Sequence, residues 1–172
     1  VLAVNIQAKK INILTIGNSF AQSVFADFKK IAKAEGQQLY ITGANLGGCS
    51  LERHWNNIVS EEKQGKKCYR GKSKSMRDML ELKKWDYVTI QQVSSQSWRK
   101  DSYHPYAEKI CEYVKKYAPQ AEIIIQQTWS YRPDHPLYKA WKLDSDSMYK
   151  KLTEAYFALA RELNLRIIPT GM

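Results

Sequence analysis

The sequence predicts an α/β domain of three layers, α/β/α, with a five-stranded parallel sheet in the flavodoxin-like order 2-1-3-4-5. One observation and one topological rule lead to this fold class and to the position of its site. Five short apolar runs alternate with amphipathic helical segments along the chain, and this alternation is typical of a parallel sheet covered on both faces. Right-handed crossovers bring the carboxyl ends of parallel strands to one edge, where open α/β sheets bind their ligands.

The first strand is predicted over residues 11–16, an apolar run rich in β-branched residues that stops at Gly17. The pattern then turns helical over residues 21–36, with apolar positions at helical spacing and a glycine as a natural stop. Residues 38–42 read as the second strand. The remaining elements of the first half are a glycine-rich loop at 43–50, a helix at 51–62, and an irregular basic insertion at 65–75 with a small hairpin around residues 68–70.

The second half of the chain continues the same alternation, and its strands end in polar residues that include two pairs of glutamines. A proline at position 119 closes one helix, and Asp144 or Ser145 caps the last one. The predicted elements are helices at 76–82, 106–117 and 144–163, strands at 87–92, 121–127 and 165–168, and a long aromatic loop at 128–143.

Length and composition indicate one globular domain. The chain has 172 residues and a net charge of +10, but its lysines are spread over helix faces and accompany no nucleic-acid motif. No apolar run approaches the roughly 20 residues of a membrane span. Three cysteines without metal-ligand spacing form neither a disulfide framework nor a zinc site. We expect a monomer with no metal, cofactor, nucleic-acid or membrane partner.

Residues 1–8 are mostly apolar and end in an alanine before two lysines. This pattern is typical of the end of a signal peptide, with cleavage after Ala8. A first strand or a disordered arm is the alternative. The signal interpretation predicts an exported protein whose single domain spans residues 9–172.

The predicted strand–turn–helix at Ser19 is the feature with the clearest chemistry. A tight turn at Gly17 exposes the serine hydroxyl at the sheet edge, beside a helix N-terminus that stabilises negative charge through its N–H groups and dipole. The alternative is that Asn18 and Ser19 only cap the helix, which both residue types do well.

Gly17-Asn18-Ser19 resembles the first block of the SGNH (GDSL-type) hydrolases, in which the serine is the nucleophile. The resemblance extends over nearly the whole chain, toward an uncharacterised SGNH-like branch of exported bacterial proteins. The motifs that carry it are Gly17-Asn18-Ser19-Phe20 and the stretches 47–55, 85–92 and 127–129.

The resemblance implies roles for several residues at the strand ends. Ser19 would be the nucleophile, and the N–H groups of Ser19 and Gly48, with Gly47 as the next candidate, would bind the oxyanion. The family has an asparagine after the third strand, where this chain has glutamines. The resemblance transfers the amide role to Gln92, with Gln91 as the alternative. These glutamines could also simply cap strand ends.

The family's Asp-x-x-His follows the fifth strand, and the given sequence has no such motif after its predicted fifth strand at 165–168. Either the given chain lacks a C-terminal segment or the catalytic base lies elsewhere. His135 follows Asp134 in the loop after the fourth strand, at the expected edge, and is the candidate base. His54 and His104 are weaker candidates, because lone histidines are more often structural.

The resemblance implies a serine esterase that removes a small acyl group, such as acetyl, from a carbohydrate. A non-catalytic carbohydrate-binding module on the same fold is the alternative. The residues expected to contact the substrate are Asn18, Gln91, Gln127, Trp129 and Tyr131.

The loop at residues 128–143 is long for an αβ connection, and loops of this length are usually functional or disordered. Its aromatic content argues against disorder. We expect it to form a wall of the Ser19 pocket, with Trp129 or His135 facing the substrate. Alternatively, its aromatic rings pack against the helix that starts at 144.

Overall fold

Five parallel strands form the sheet in a computed structural model, which describes residues 10–171 apart from the side chain of Ala26. The predicted signal remnant, residues 1–8, lies outside the described residues. The sheet order 2-1-3-4-5 confirms the predicted fold class. The strands are β1 (Lys10–Gly17), β2 (Gln38–Asn45), β3 (Tyr87–Ile90), β4 (Glu122–Gln126) and β5 (Arg166–Ile168).

Six helices connect the strands in the described part of the chain, and a short 3₁₀ turn (Lys100–Tyr103) precedes the fourth. Four of these helices begin at a side-chain cap, from Asn18, Ser50, Ser75 or Asp144. The helices are α1 (Ser19–Ala34), α2 (Leu51–Gln64), α3 (Met76–Glu81), α4 (Tyr106–Tyr117), α5 (Leu137–Trp141) and α6 (Ser145–Leu163).

The two faces of the sheet carry different layers. On one face, alternate residues such as Leu14, Ile16 and Ile90 join the core formed with α2, α3, α4 and α6. On the other face, α1 packs over β1 and β2, and Gly17 meets Ala21 of this helix. Because all strands are parallel, their carboxyl ends share the edge that carries Ser19.

The main differences from the predicted element boundaries lie in β2, α1, β3 and the long loop. Strand β2 extends to Asn45, three residues into the predicted glycine-rich loop. The first helix begins at Ser19, two residues earlier than expected, because Asn18 is its cap. The third strand ends at Ile90, so both following glutamines lie beyond it. The long loop contains the short helix α5. An isolated antiparallel bridge between Tyr69 and Lys74 forms the expected hairpin.

The three cysteines, Cys49, Cys68 and Cys111, carry free thiols. Among the helices of residues 10–171, none has the length and apolar character needed to cross a bilayer.

Candidate functional site

Ser19 is the first residue of α1 and lies exposed at the carboxyl edge of the sheet. The close turn before it favours glycine at position 17, because a Cβ there would lie 3.1 Å from the Cβ of Ala21 and 3.3 Å from the Gln91 side chain. Since Ser19 is in the first helical turn, its N–H has no intrahelical acceptor. The hydroxyl and the N–H are thus both available at one accessible point.

Asn18 is buried and anchors this turn. Its Oδ1 accepts a hydrogen bond from the Phe20 N–H at 3.1 Å, and its Nδ2 donates to the carbonyls of Cys49 (3.3 Å) and Gln92 (3.5 Å). The side chain therefore joins β1 to the loops that follow β2 and β3. This differs from the expected substrate contact, because the amide is occupied within the protein and only 2 % of the residue is exposed.

Gln92 is also committed to internal hydrogen bonds. Its Oε1 accepts from the N–H groups of Leu51 (3.1 Å) and Val93 (2.8 Å). Its Nε2 donates to the carbonyl (2.8 Å) and the hydroxyl (3.2 Å) of Ser102. Both amide hydrogens are therefore used within the protein and no part of the residue is exposed, so this structure leaves no free amide donor for the expected oxyanion role of Gln92.

The other glutamines at the strand ends lie in two environments. Gln127 is buried and donates from its Nε2 to the Thr153 hydroxyl of α6 at 3.0 Å, so it faces the helix layer and not a substrate. Gln91 is buried against Gly17, and within the described residues neither of its amide atoms has a hydrogen-bond partner. The same is true of Gln126 on the neighbouring strand.

Gly48 lies in the exposed loop after β2 and has a left-handed backbone with φ of 57°. Among residues 10–171, no acceptor is bonded to its N–H or to that of Ser19. The bond from Asn18 to the Cys49 carbonyl brings the two segments together. Two free backbone N–H groups on adjoining segments are the donor type that stabilises an oxyanion in acyl transfer.

His54, on α2, was predicted only as a weaker candidate for the base, and in the structure its imidazole supports the turn before Ser19. Its Nε2 lies 2.9 Å from the Gly17 carbonyl, and its Nδ1 lies 3.0 Å from the Tyr69 hydroxyl. Because a carbonyl only accepts, Nε2 carries the proton and Nδ1 accepts from the tyrosine. Complete burial lowers the pKa of His54 to about 4, so the ring is neutral. Its spacing on the inward face, between Leu51 and Ile58, is the sequence signal for this position.

The loop after β4 reaches the residue next to Ser19. The Trp129 ring stacks on Phe20 with a centroid distance of 4.4 Å, and Tyr131 meets the same ring edge-on at 6.4 Å. His135 stacks on Tyr131 at 4.1 Å. These residues line a cleft of about 480 Å³, which we call the aromatic cleft.

The second half of the loop packs differently. Tyr138 is buried in the core, and Trp141 packs against Trp98 with a centroid distance of 5.7 Å. The first half of the loop at residues 128–143 thus lies beside Phe20, while its second half packs into the core and against Trp98, a partner that neither alternative named.

The histidines have different partners. His104 pairs with Glu108 at 2.5 Å and with Glu162 at 3.2 Å, which is a structural arrangement. His135 lines the aromatic cleft. Its neighbour Asp134 pairs with Arg132 at 2.6 Å and does not orient the imidazole.

Comparisons with known proteins place the chain in context. The family described as a domain of unknown function (DUF4886) matches residues 12–171. A DUF4886 family protein from Bacteroides uniformis ATCC 8492 is 31% identical, with a TM-score of 0.83, and the match covers 95% of this chain and 68% of that one. A comparison with curated proteins finds no match.

More distant structures share the fold. A protein from Slackia heliotrinireducens, provisionally described as an SGNH hydrolase, is 19% identical, with a TM-score of 0.64 and coverage of 92% of this chain and 78% of that one. The acetyl xylan esterase AlAXEase is 14% identical, with a TM-score of 0.60 and coverage of 91% and 76%. The similarity shows that the chain has the α/β fold of SGNH hydrolases.

Proposed function

Because the chain belongs to the DUF4886 family and has the fold of the SGNH hydrolases, we propose that it is a serine ester hydrolase with Ser19 as the nucleophile. One observation carries this proposal. The exposed Ser19 hydroxyl lies at a strand-to-helix turn that Asn18 joins to the loop of Gly48, and the N–H groups of Ser19 and Gly48 have no acceptor among the described residues. Such a turn presents a nucleophile together with the donors that its tetrahedral intermediate needs.

In this mechanism, the Ser19 Oγ attacks the acyl carbon and passes its proton to a base. The oxyanion that forms accepts hydrogen bonds from the N–H groups of Ser19 and Gly48, and the N-terminal dipole of α1 adds to this stabilisation. The alcohol leaves with a proton from the base. Water then attacks the acyl-enzyme and releases the acid. Asn18 and His54 hold the turn throughout and contact no substrate.

We propose His135 as the base, because among the three histidines it is the one that lines the aromatic cleft. Both ring nitrogens of His54 are engaged in internal hydrogen bonds, and those of His104 are paired with the carboxylates of Glu108 and Glu162. Trp129 and Tyr131 support a carbohydrate ester as substrate, since aromatic faces of this kind stack on sugar rings. The acetyl xylan esterase among the fold neighbours is consistent with a small acyl group.

A non-catalytic carbohydrate-binding module on the same fold is the second candidate. The observation that favours it is that no histidine among residues 10–171 is hydrogen-bonded to Ser19. Such a module would keep the aromatic cleft and bind acetylated sugars without cleaving them.

The experiment compares hydrolysis of 4-nitrophenyl acetate by the wild type, Ser19→Ala and Ser23→Ala. Ser23 is an exposed serine of the same helix, four residues further on, and controls for the loss of a hydroxyl. We expect Ser19→Ala to lose at least about 10³-fold in kcat and Ser23→Ala to keep its activity. Equal rates in the two variants would remove Ser19 from the mechanism.

His135→Gln tests the base separately. A loss of at least about 10²-fold in kcat, together with the disappearance of the acidic limb of the pH–rate profile, is expected if His135 accepts the proton. An unchanged profile would show that another group is the base. Binding of acetylated oligosaccharides without turnover by the wild type would favour the binding module.

A further inference from the structure

A second cleft, of about 570 Å³, lies between α1, the edge strand β2 and the turn at residues 69–74. Leu46 and Gln22 form its near end. The Leu46 N–H donates to the Gly17 carbonyl at 3.2 Å, and the Gln22 N–H donates to the Asn18 carbonyl at 3.3 Å. The cleft, which we call the basic cleft, therefore begins beside the turn that carries the candidate nucleophile.

The charges along the basic cleft have one sign. Lys29 and Arg70 line it, and no carboxylate does. Neither cation forms an ion pair with another residue of the described part of the chain. Two cations that face a concave surface without a counter-ion create a positive potential there. This potential favours an anionic ligand.

An ordered amide adds a neutral donor to the same surface. The Thr15 hydroxyl donates to the Asn45 Oδ1 at 3.0 Å, which fixes the amide so that its Nδ2 remains a donor. Gly43 provides the room for this amide, because a Cβ at position 43 would lie 2.5 Å from the Asn45 Nδ2. The sequence of β2 thus places a hydrogen-bond donor on the floor of the basic cleft.

Arg70 is presented by a fixed turn. Tyr69 before it is fully buried, and its hydroxyl meets the His54 ring at 3.0 Å. Arg70, Gly71 and Lys72 all have left-handed backbones, with φ of 47°, 66° and 64°. Residues other than glycine rarely adopt this conformation. The buried tyrosine therefore holds the turn that presents the Arg70 guanidinium on the cleft.

We propose that the basic cleft binds the anionic group, a carboxylate or a phosphate, of a small ligand. Lys29 and Arg70 are the charged partners, and Asn45 is the neutral donor. Under the proposed hydrolase function, on which this part rests, the anion belongs to the ester substrate, whose acyl group lies at Ser19. The substrate class is then an acylated acidic sugar, and the aromatic and basic clefts hold two parts of one molecule.

The test measures binding and needs no turnover. Wild-type protein is titrated with glucuronate, glucose 6-phosphate and glucose, and the dissociation constants are compared. The test variant is Lys29→Gln with Arg70→Gln. The matched control is Lys33→Gln with Lys72→Gln, which removes the same charge from the same helix and turn at exposed positions outside the cleft.

We expect an acidic sugar to bind at least about 10-fold more tightly than glucose, and the test variant to lose about 10-fold of this affinity. The control is expected to change it less than about twofold. Tighter binding of glucuronate or of glucose 6-phosphate identifies the anion as carboxylate or phosphate. Equal affinity for glucose, or equal losses in test and control variants, would overturn the proposal.

Ser19→Ala separates the two proposals. We expect it to bind the acidic sugar as the wild type does, because Ser19 does not line the basic cleft. If the wild type fails to hydrolyse esters but binds the anion through Lys29 and Arg70, the hydrolase proposal fails and the basic cleft stands. If the wild type hydrolyses esters but does not bind the anion, the basic-cleft proposal fails and the hydrolase proposal stands.

Discussion

At the residue scale, the neighbouring glutamines Gln91 and Gln92 differ in whether their buried side-chain amides have hydrogen-bond partners. The Gln92 amide accepts from Leu51 and Val93 and donates to Ser102. The Gln91 amide is equally buried, yet its oxygen and nitrogen have no partner in the described structure. Buried polar groups are costly when they lack partners, and removing one partner of a buried hydrogen bond leaves the other unsatisfied.

The two glutamines therefore respond differently to substitution by methionine, which has a similar length. We expect Gln92→Met to lower the free energy of unfolding by about 2–4 kcal/mol, because it leaves the Leu51 N–H without its acceptor. Gln91→Met is expected to change it by less than about 1 kcal/mol. Urea denaturation of both variants measures this difference. An equal decrease in the free energy of unfolding in the two variants would mean that the Gln92 hydrogen bonds contribute little net stability.

The sequence could not distinguish these glutamines. The prediction extended the third strand to residue 92, whereas β3 ends at Ile90. Successive side chains of a strand point to opposite faces, so the strand pattern alone does not say which amide meets hydrogen-bond partners. Besides its neighbour Val93, the partners of Gln92 are Leu51 on α2, 41 positions away, and Ser102 in the 3₁₀ turn, 10 positions away. Such contacts arise from tertiary packing.

At the element scale, α2 carries two buried titratable residues, His54 and Glu61, seven positions apart on its inward face. Burial lowers the pKa of His54 from 6.5 to about 4. Burial, opposed by a hydrogen bond from the Met76 N–H and reinforced by Asp78, raises the pKa of Glu61 from 4.5 to about 7. In both cases the native state favours the neutral form.

These two shifts have opposite effects on stability. The contribution of His54 to the free energy of unfolding is complete above pH 6.5. It is lost as the pH falls toward 4, because the unfolded chain binds a proton at this residue more readily than the native state does. The Glu61 contribution is complete below pH 4.5 and is lost as the pH rises toward 7. Each is worth up to about 3 kcal/mol, so the two largely cancel between these limits.

Variants of α2 reveal the two contributions. Relative to the wild type, we expect Glu61→Gln to become more stable as the pH rises from 4.5 to 6.5, and His54→Gln to become less stable over the same range. Glutamine keeps a hydrogen-bonding amide at both positions. Chemical denaturation at several pH values gives the free energies of unfolding. Parallel pH profiles in the two variants would contradict this assignment.

The helices and the aromatic loop show which elements the sequence can predict. Helix α6 was placed to within one residue, because a capping residue and a long amphipathic pattern mark it locally. The short helix α5 was missed, since its five residues carry too little pattern. The stacking of Trp129 on Phe20 joins two distant segments and was not predicted, because the sequence left open only whether the loop lines the Ser19 pocket or packs against the helix that starts at 144.

At the scale of the whole molecule, the first turn of α1 contributes residues next to Ser19 to two clefts of different chemistry. Phe20 lines the aromatic cleft, and Gln22 lines the basic cleft. Strand alternation predicted the sheet edge on which this site lies, since topology follows from local pattern and right-handed crossovers. The partition into two clefts depends on the path of loops over that edge, which no local pattern encodes.

The net charge of +10 adds a long-range field to these local sites. If the substrate is anionic, this field speeds its approach, and salt weakens the attraction because the Debye length shrinks from about 10 Å at 0.1 M to about 3 Å at 1 M. A neutral substrate gains nothing from the field. Salt therefore distinguishes an acidic substrate from a neutral one.

The salt dependence of hydrolysis can be compared for two nearly isosteric esters. One is 4-acetoxybenzoate, which carries a carboxylate, and the other is 4-acetoxybenzamide, which is neutral. Raising NaCl from about 20 mM to about 500 mM is expected to lower kcat/KM for the benzoate at least about fivefold, and for the benzamide less than about twofold. Lys115→Gln with Lys116→Gln, on exposed positions of α4, lowers the net charge by two away from both clefts and should reduce the benzoate effect only slightly. The Lys29→Gln and Arg70→Gln pair removes the same charge inside the basic cleft and should reduce it most. Equal salt dependence for the two esters would mean that neither the field nor the basic cleft selects an acidic substrate.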